Sequence, residues 1–178
     1  QKWAANGKGA GGVALTGLCA IDVDVYDKDV STELLSFCRE SFENLLVRVG
    51  QEPKFLIVLS DKSGIHKKWK NTWYDKKDCK HEIEFLAPRD QYFLAYGIHP
   101  DTGKEFTWLN GSDVLNTHVD ALPVLDDIDI SMIEDEFERI ASSRGWCHKK
   151  QKPDGNQETK KTINSDPLES LKIPGGIK

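Results

Sequence analysis

The sequence predicts an α+β domain, a mixed β-sheet with flanking helices. Three observations predict it. Short runs rich in Val, Ile, Phe and Tyr recur between residues 13 and 108, separated by Gly, Pro, Asn and Asp. Two longer stretches, 32–46 and roughly 129–143, space apolar residues three and four apart. The composition, 38% hydrophobic and 30% charged, suits a soluble globular chain, and no apolar run approaches the length of a membrane span.

Taken in order, residues 1–12 are Gly- and Ala-rich and read as a loop. Val13–Thr16 is a short strand ended by Gly17. Leu18–Val25 is a second strand, in which Asp22 and Asp24 project together while Cys19, Ile21, Val23 and Val25 take the opposite face. Ser31 or Thr32 caps a helix over 32–46, carried by Leu34, Leu35, Cys38, Phe42, Leu45 and Leu46. Gly50 begins a turn, and Phe55–Leu59 is a continuous apolar run of the kind a doubly covered strand shows. Residues 60–80 form a basic, aromatic insertion. Glu82–Leu86 and Tyr92–Tyr96 are strands joined by Ala87-Pro88-Arg89-Asp90, which has turn chemistry. A turn at Asp101–Lys104 precedes a short strand, Glu105–Trp108. Asp129 or Ser131 caps a second helix with Ile133, Phe137 and Ile140 on one face, and Gly145 stops it. Trp3 and Trp108 read as packing residues. Composition then divides the chain into a folded domain, 1–146, and a polar linker, 147–178.

Net charge is −5, unevenly placed. The last 32 residues carry seven lysines against four carboxylates, which leaves residues 1–146 at −8. An acidic domain is not a nucleic-acid binder by bulk charge. The stretch 61–80 runs the other way, with seven lysines interleaved with Trp69, Trp73 and Tyr74. Lysines neutralise phosphates and aromatic rings stack on bases, so Lys67, Lys68, Lys70, Trp69 and Trp73 are the candidate DNA contacts. Four cysteines without a CxxC pair exclude a zinc ribbon and indicate reduced, cytoplasmic thiols. The chain opens on Gln1 without a signal-like segment and reads as a fragment or a processed chain.

The chemistry lies in two acidic pairs. Asp disfavours strands, so Asp22 and Asp24 amid Ile, Val and Val need a reason. Adjacent carboxylates repel unless a cation lies between them, and hard divalent ions take oxygen ligands of this kind. Glu82 and Glu84 form a second same-face pair. Arg48 and Lys54 are the cations placed to hold phosphate beside such a site. His99 stands between an aromatic strand and a Pro-Asp-Thr-Gly turn. The remaining histidines, His66, His81, His118 and His148, show no ligand spacing and read as surface residues.

Taken together, Leu15-Thr16-Gly17, Ile21-Asp22-Val23-Asp24, the Arg48, Gly50 and Lys54 spacing, Ile83-Glu84-Phe85-Leu86, and Tyr96-Gly97-Ile98-His99-Pro100-Asp101-Thr102-Gly103-Lys104 with Trp108 resemble the primase-polymerase domain of phages and plasmids. That domain belongs to the archaeo-eukaryotic primase superfamily, and the resemblance covers residues 11–145. It implies an RRM-like catalytic half with a smaller α/β half. Asp22 and Asp24 match the metal-binding DxD motif, and Glu84 matches the third carboxylate, with Glu82 as the alternative. Arg48, Lys54 and His99 match the nucleotide contacts. The sequence departs from the family at Lys54, where His is usual, and at Gly97, where Ser often stands. The resemblance further implies DNA-directed nucleotidyl transfer, a DNA polymerase or primase reaction with two Mg²⁺ or Mn²⁺ ions. Its partners would be a DNA template and primer and a dNTP or NTP. A helicase module in a longer parent protein and a location in the host cytoplasm also follow. Two rival readings remain, a metal-dependent nuclease and a non-catalytic nucleic-acid-binding module. The first is weakened because Glu82-Ile83-Glu84 lacks the lysine of a (D/E)xK pattern.

Overall fold

The alternation in Leu18–Asp24 orients the architecture, because it turns Cys19, Ile21 and Val23 to the larger core while Asp22 and Asp24 share the other face with Leu18 and Ala20. The computed structural model describes residues 11–88 and 91–148. Its strands are Gly11–Ala14 (β1), Leu18–Asp24 (β2), Leu46–Val49 (β3), Phe55–Ser60 (β4), Trp69–Tyr74 (β5), Lys80–Leu86 (β6), Tyr92–Tyr96 (β7) and Thr107–Trp108 (β8). Its α-helices are Lys28–Ser41 (α1) and Asp127–Ser143 (α2). Six strands form one sheet in the order β5-β6-β2-β4-β3-β8, and β1 pairs with β7 in a separate ribbon. The chain is therefore α+β. The sheet is antiparallel at every strand pair, not mixed as expected, and the parallel contact is an isolated bridge between Ser60 and Val124.

Both helices cover the same face of the sheet. Cys19, Ile21 and Val23 of β2 pack there with Ile57, Leu59, Ile83 and Phe85, beneath Val30, Leu34 and Cys38 of α1 and Ile133, Phe137 and Ile140 of α2. Burial of each such side chain contributes about 1.5–3 kcal/mol. On the other face, Ala20, Leu56 and Val58 meet Leu15, Phe93 and Ala95 from the β1–β7 side. Strand β4 lies between these two layers and is buried at all six residues, which explains its unbroken apolar run. The smaller layer contains no α-helix among the described residues, where a smaller α/β half was expected.

Several elements differ from their sequence reading for local reasons. Helix α1 starts earlier because Asp27, not Ser31 or Thr32, accepts from the backbone N–H groups of Asp29 and Val30. The Ser31 hydroxyl donates instead to the Pro53 carbonyl. The helix also ends earlier: Asn44 turns the chain at φ 55°, and Leu46 opens β3. Asp126 and Asp129 cap α2 reciprocally, each accepting the other's backbone N–H. Gly145 ends that helix at φ +74°, where Trp146 N–H donates back to Ala141. Strands β6 and β7 do not pair, and Arg89 and Asp90 of their connection lie outside the described residues. Cys147 belongs to the folded part, not the linker, because it exchanges two backbone hydrogen bonds with Tyr74 at 2.7 and 3.0 Å. Residues 1–10 of the Gly-rich start, with Trp3, and 149–178 of the polar tail lie outside the described residues, whereas Gly11 and Gly12, expected in a loop, open β1. No helix among those described is long and apolar enough to cross a membrane, and all four cysteines are free thiols.

The basic, aromatic insertion carries strand β5 at its centre, and period two explains the composition of that strand. Trp69 and Trp73 point to the helix-covered face, while Lys70 and Thr72 share the acidic face with Glu84 and Glu82. Trp73 is 4% exposed and cannot stack on a base. Trp69 packs against the core and stacks on Phe85 at 6.2 Å. Both are thereby withdrawn from the DNA contacts. Trp73→Ala should cost about 3–5 kcal/mol of unfolding free energy, the usual scale for truncating a buried Trp. A urea titration measures this, and a loss under 1 kcal/mol would contradict the core position.

Candidate metal and nucleotide site

The register of the sheet assembles the acids. Asp22 lies directly opposite Glu84 across the β2–β6 pair, and Asp24 opposite Glu82. Directly opposed residues hold their Cβ atoms about 4.5–5.5 Å apart. All four carboxylates thus share one face, and both glutamates face the aspartates. One cross-sheet row runs Lys70, Glu84, Asp22, Leu56, Arg48, Trp108. It is basic at one end, acidic in the middle, and cationic then aromatic at the other end.

The two glutamates are already engaged by lysines. Lys68 and Lys70 both pair with Glu84, the latter at 3.2 Å. Lys70 and Lys80 pair with Glu82 at 2.8 and 2.6 Å, and Thr72 Oγ1 donates to it at 3.0 Å. Burial works to raise both glutamates' pKa values, but the lysine hydrogen bonds outweigh it and hold them below the usual carboxylate range. Glu82 is the more enclosed, with contacts on three sides, which suits it to a structural role. Lys67 is exposed.

Asp22 lacks such compensation. Its nearest cation, Arg48, is 4.0 Å away. Burial above all, then the Asp24 charge and the Glu84 charge, push its pKa up to about 6 against the pull of Arg48 and Lys54. Asp24 is better served, with Lys54 Nζ at 3.3 Å.

Asp22 and Asp24 floor a cleft of about 350 Å³ whose lining also includes Arg48, Lys54 and His99. The structure therefore gathers five of the six principal candidates in one concavity, and Glu84 stands beside Asp22 on the next strand. Arg48 is fixed there. Its Nη1 donates to the Leu94 carbonyl of β7, its guanidinium lies 4.6 Å from the centre of the Phe106 ring, and its side chain is 11% exposed. Trp108 Nε1 donates to Ala95 at 3.1 Å. These two bonds tie the β1–β7 ribbon to the sheet and set the width of the cleft. Lys54 lies 3.9 Å over the Tyr26 ring. His99 Nδ1 accepts the Asp101 N–H at 3.2 Å, so the neutral ring carries its proton on Nε2 and offers a donor.

Gly50 makes this packing possible. A Cβ there would lie 2.5 Å from Phe106 and 2.7 Å from His99. The sequence reading of Gly50 as a turn missed this role, and only a close approach between distant segments reveals it.

Two of the histidines read as surface residues are enclosed. The His66 side chain is 6% exposed and meets Asp61 at 2.8 Å, and Asp61 also accepts from Ser63 and Gly64. His81 is 2% exposed and stacked on Trp146 at 4.0 Å. Asp75, Cys79 and His81 bring ligand-type atoms within 4.8 Å of one another, but the tautomer opposes a metal there. His81 Nδ1 accepts the Tyr26 N–H at 3.1 Å, which leaves the proton on Nε2, 3.6 Å from Asp75. Ligation through Nε2 would turn two N–H groups toward each other. Burial lowers the His81 pKa and keeps the ring neutral. Asp75 instead closes the β5–β6 turn, where its carboxylate accepts the backbone N–H groups of Lys77 and Cys79, both at 2.8 Å. His118, with its side chain 78% exposed, and His148 are exposed as expected, and the His148 ring also lies against Trp73 at 3.8 Å.

Asp22, Asp24 and Glu84 offer the oxygen ligands that hard divalent cations take, but the group of ligand-type atoms already gathered within 4.8 Å among the described residues is Asp75, Cys79 and His81, so a cation here would have to draw the three carboxylates together. A pH dependence follows. The Asp22 carboxyl titrates near 6 in the folded chain and near 3.9 when unfolded. Its contribution to stability is therefore full below about pH 4 and lost as pH rises through about 6. A divalent cation competes with that proton. The rise in Tm given by Mn²⁺ should be small near pH 5, grow through about pH 6, and vanish in Asp22→Asn. Differential scanning fluorimetry across this range measures it, and an Mn²⁺ shift that is flat with pH would count against ligation by Asp22. No protein-family model, curated protein or solved structure matches the chain.

Proposed function

We propose that the chain is a template-directed nucleotidyltransferase of the primase-polymerase type, a DNA polymerase with potential priming activity. The observation that carries this reading is Asp22. Its under-neutralised carboxylate lies beside Asp24 and opposite Glu84, at the floor of a cleft that also holds Arg48, Lys54 and His99. Burial raises the pKa of the Cys19 and Cys38 thiols further above its ordinary value, which withholds these two from thiolate chemistry.

Asp22, Asp24 and Glu84 would hold Mg²⁺ or Mn²⁺, which when bound lowers the pKa of an attacking hydroxyl and stabilises charge on a triphosphate. Arg48 and Lys54 neutralise phosphate oxygens, and His99 donates a hydrogen bond from Nε2. A cation taken up by Glu84 would release Lys68 and Lys70. With the exposed Lys67, they form a basic edge suited to a template or primer backbone. The archaeo-eukaryotic primase fold, a dNTP or NTP substrate, cytoplasmic location and a helicase module in a longer parent protein belong to the same proposal.

Incubation with primed template, dNTPs and Mg²⁺ or Mn²⁺ tests the reading. Extension supports it, degradation of the DNA favours a nuclease, and retention alone favours a binding module. Lys54→Ala should raise the nucleotide KM by about tenfold, the scale of one lost charge-assisted contact, with a smaller effect on kcat. Steady-state kinetics on primed template would show this, and an unchanged KM would remove Lys54 from the nucleotide contacts.

A further inference from the structure

The cleft has a charged half and an apolar half. Asp22, Asp24, Arg48, Lys54 and His99 form the first, and the second includes Leu86, Tyr92, Phe93 and Phe106. Two of these aromatic rings are already engaged. Phe106 carries Arg48 at 4.6 Å and His99 at 5.5 Å. Phe93 is 4% exposed and meets Trp108.

Tyr92 differs from both. It opens β7, lines the same cleft, and is 69% exposed. An aromatic ring left in water forgoes the burial that normally accompanies its size. Its position is set by Gly12, which pairs with Leu94 and so lies diagonally across the ribbon from Tyr92. A Cβ on Gly12 would stand 3.3 Å from Tyr92 Cδ2. Glycine lets the ring lean over the β1 backbone instead of being lifted from it.

The geometry points to Tyr92 as the stacking platform for the base of a bound nucleoside triphosphate, an inference that rests on the nucleotide reading above. A nucleotide is charged at one end and flat and apolar at the other, and the cleft is divided in the same way. Phosphate recognition draws on Arg48, Lys54 and His99, none of which offers a free aromatic face. Tyr92 does, and stacking asks for no particular base, as a copying enzyme requires.

Isothermal titration of the full chain in Mn²⁺, with dGTP and with inorganic triphosphate as separate titrants, tests this. Tyr92→Ala should weaken dGTP binding about tenfold or more, the range of one lost base–aromatic stack. It should leave inorganic triphosphate unchanged, because that probe has no base. Tyr92→Phe should bind both ligands as the wild type does, since the ring is kept. A melting curve for each variant checks the fold, and the ring's exposure makes its loss tolerable. Wild-type dGTP affinity in Tyr92→Ala would overturn the platform, as would equal losses for dGTP and triphosphate. A wild-type chain that binds neither ligand would overturn both this inference and the nucleotide reading. One that binds both equally well would remove the platform and spare the phosphate site.

Discussion

Asp22→Asn is expected to abolish nucleotide addition, by about a thousandfold or more, the scale on which losing a preorganised electrostatic partner appears in turnover. The substitution keeps the shape and removes one charge. Without it, Asp24 and Glu84 no longer have a third carboxylate to share a divalent cation, and the Mn²⁺-dependent rise in Tm should vanish. The metal-free chain should remain folded, and at neutral pH its Tm should hold or rise, because Asn removes the burial penalty on a charged group and the like-charge crowding that together push the Asp22 pKa up to about 6. Loss of activity with unchanged or higher stability separates a site residue from a packing residue. Primer extension and a melting curve on the same preparation give both numbers. Retained extension would remove Asp22 from the chemistry.

Arg48→Ala should act on stability and binding together. Its guanidinium is 11% exposed, donates to the Leu94 carbonyl, packs on Phe106 and is the nearest cation to Asp22. Truncation leaves the carbonyl and the carboxylate without a cation and opens a void between the sheet and the ribbon. Asp22 keeps 34% of its side chain in water, so the cost is set mainly by the unpaired Leu94 carbonyl, about 1–3 kcal/mol, and by the void. Arg48→Lys should recover little, because a compact ammonium cannot both reach Leu94 and stack on Phe106. Nucleotide affinity should fall with the stability, since the same group neutralises phosphate. Urea unfolding and nucleotide titration measure the two effects. A loss of affinity without a loss of stability would show that Arg48 does not tie the two layers together.

The same-face placement of Asp22 with Asp24, and of Glu82 with Glu84, was legible because a strand's period of two is written in adjacent residues. Their meeting was not, because which strands become neighbours depends on long-range pairing. Sequence spacing could not say that Glu84 lies across from Asp22 or that Lys70 extends that row. Two local misreadings have physical causes. Leu45 and Leu46 continue the helical spacing of α1 by coincidence, while Asn44 in the left-handed region turns the chain and a β-branched run begins β3. The Trp and Lys interleaving of 69–74 mimics a nucleic-acid surface, yet it is the alternation of an amphipathic edge strand with tryptophans inward. Lys70 on its other face, with Lys68 just before the strand, pairs with the very glutamates that the metal reading needs. Tyr92 gave no signal beyond its place in a strand, since exposure at a cleft is a tertiary property.

The decisive measurement is anomalous diffraction from crystals of the chain grown with Mn²⁺ and a non-hydrolysable dNTP. Nucleotidyl transfer at this cleft predicts Mn²⁺ peaks within ligand distance of Asp22 and Asp24, Glu84 released from Lys68 and Lys70, and triphosphate density against Arg48 and Lys54. Manganese bound at Asp75, Cys79 and His81 instead, with no peak between the two aspartates, would contradict it.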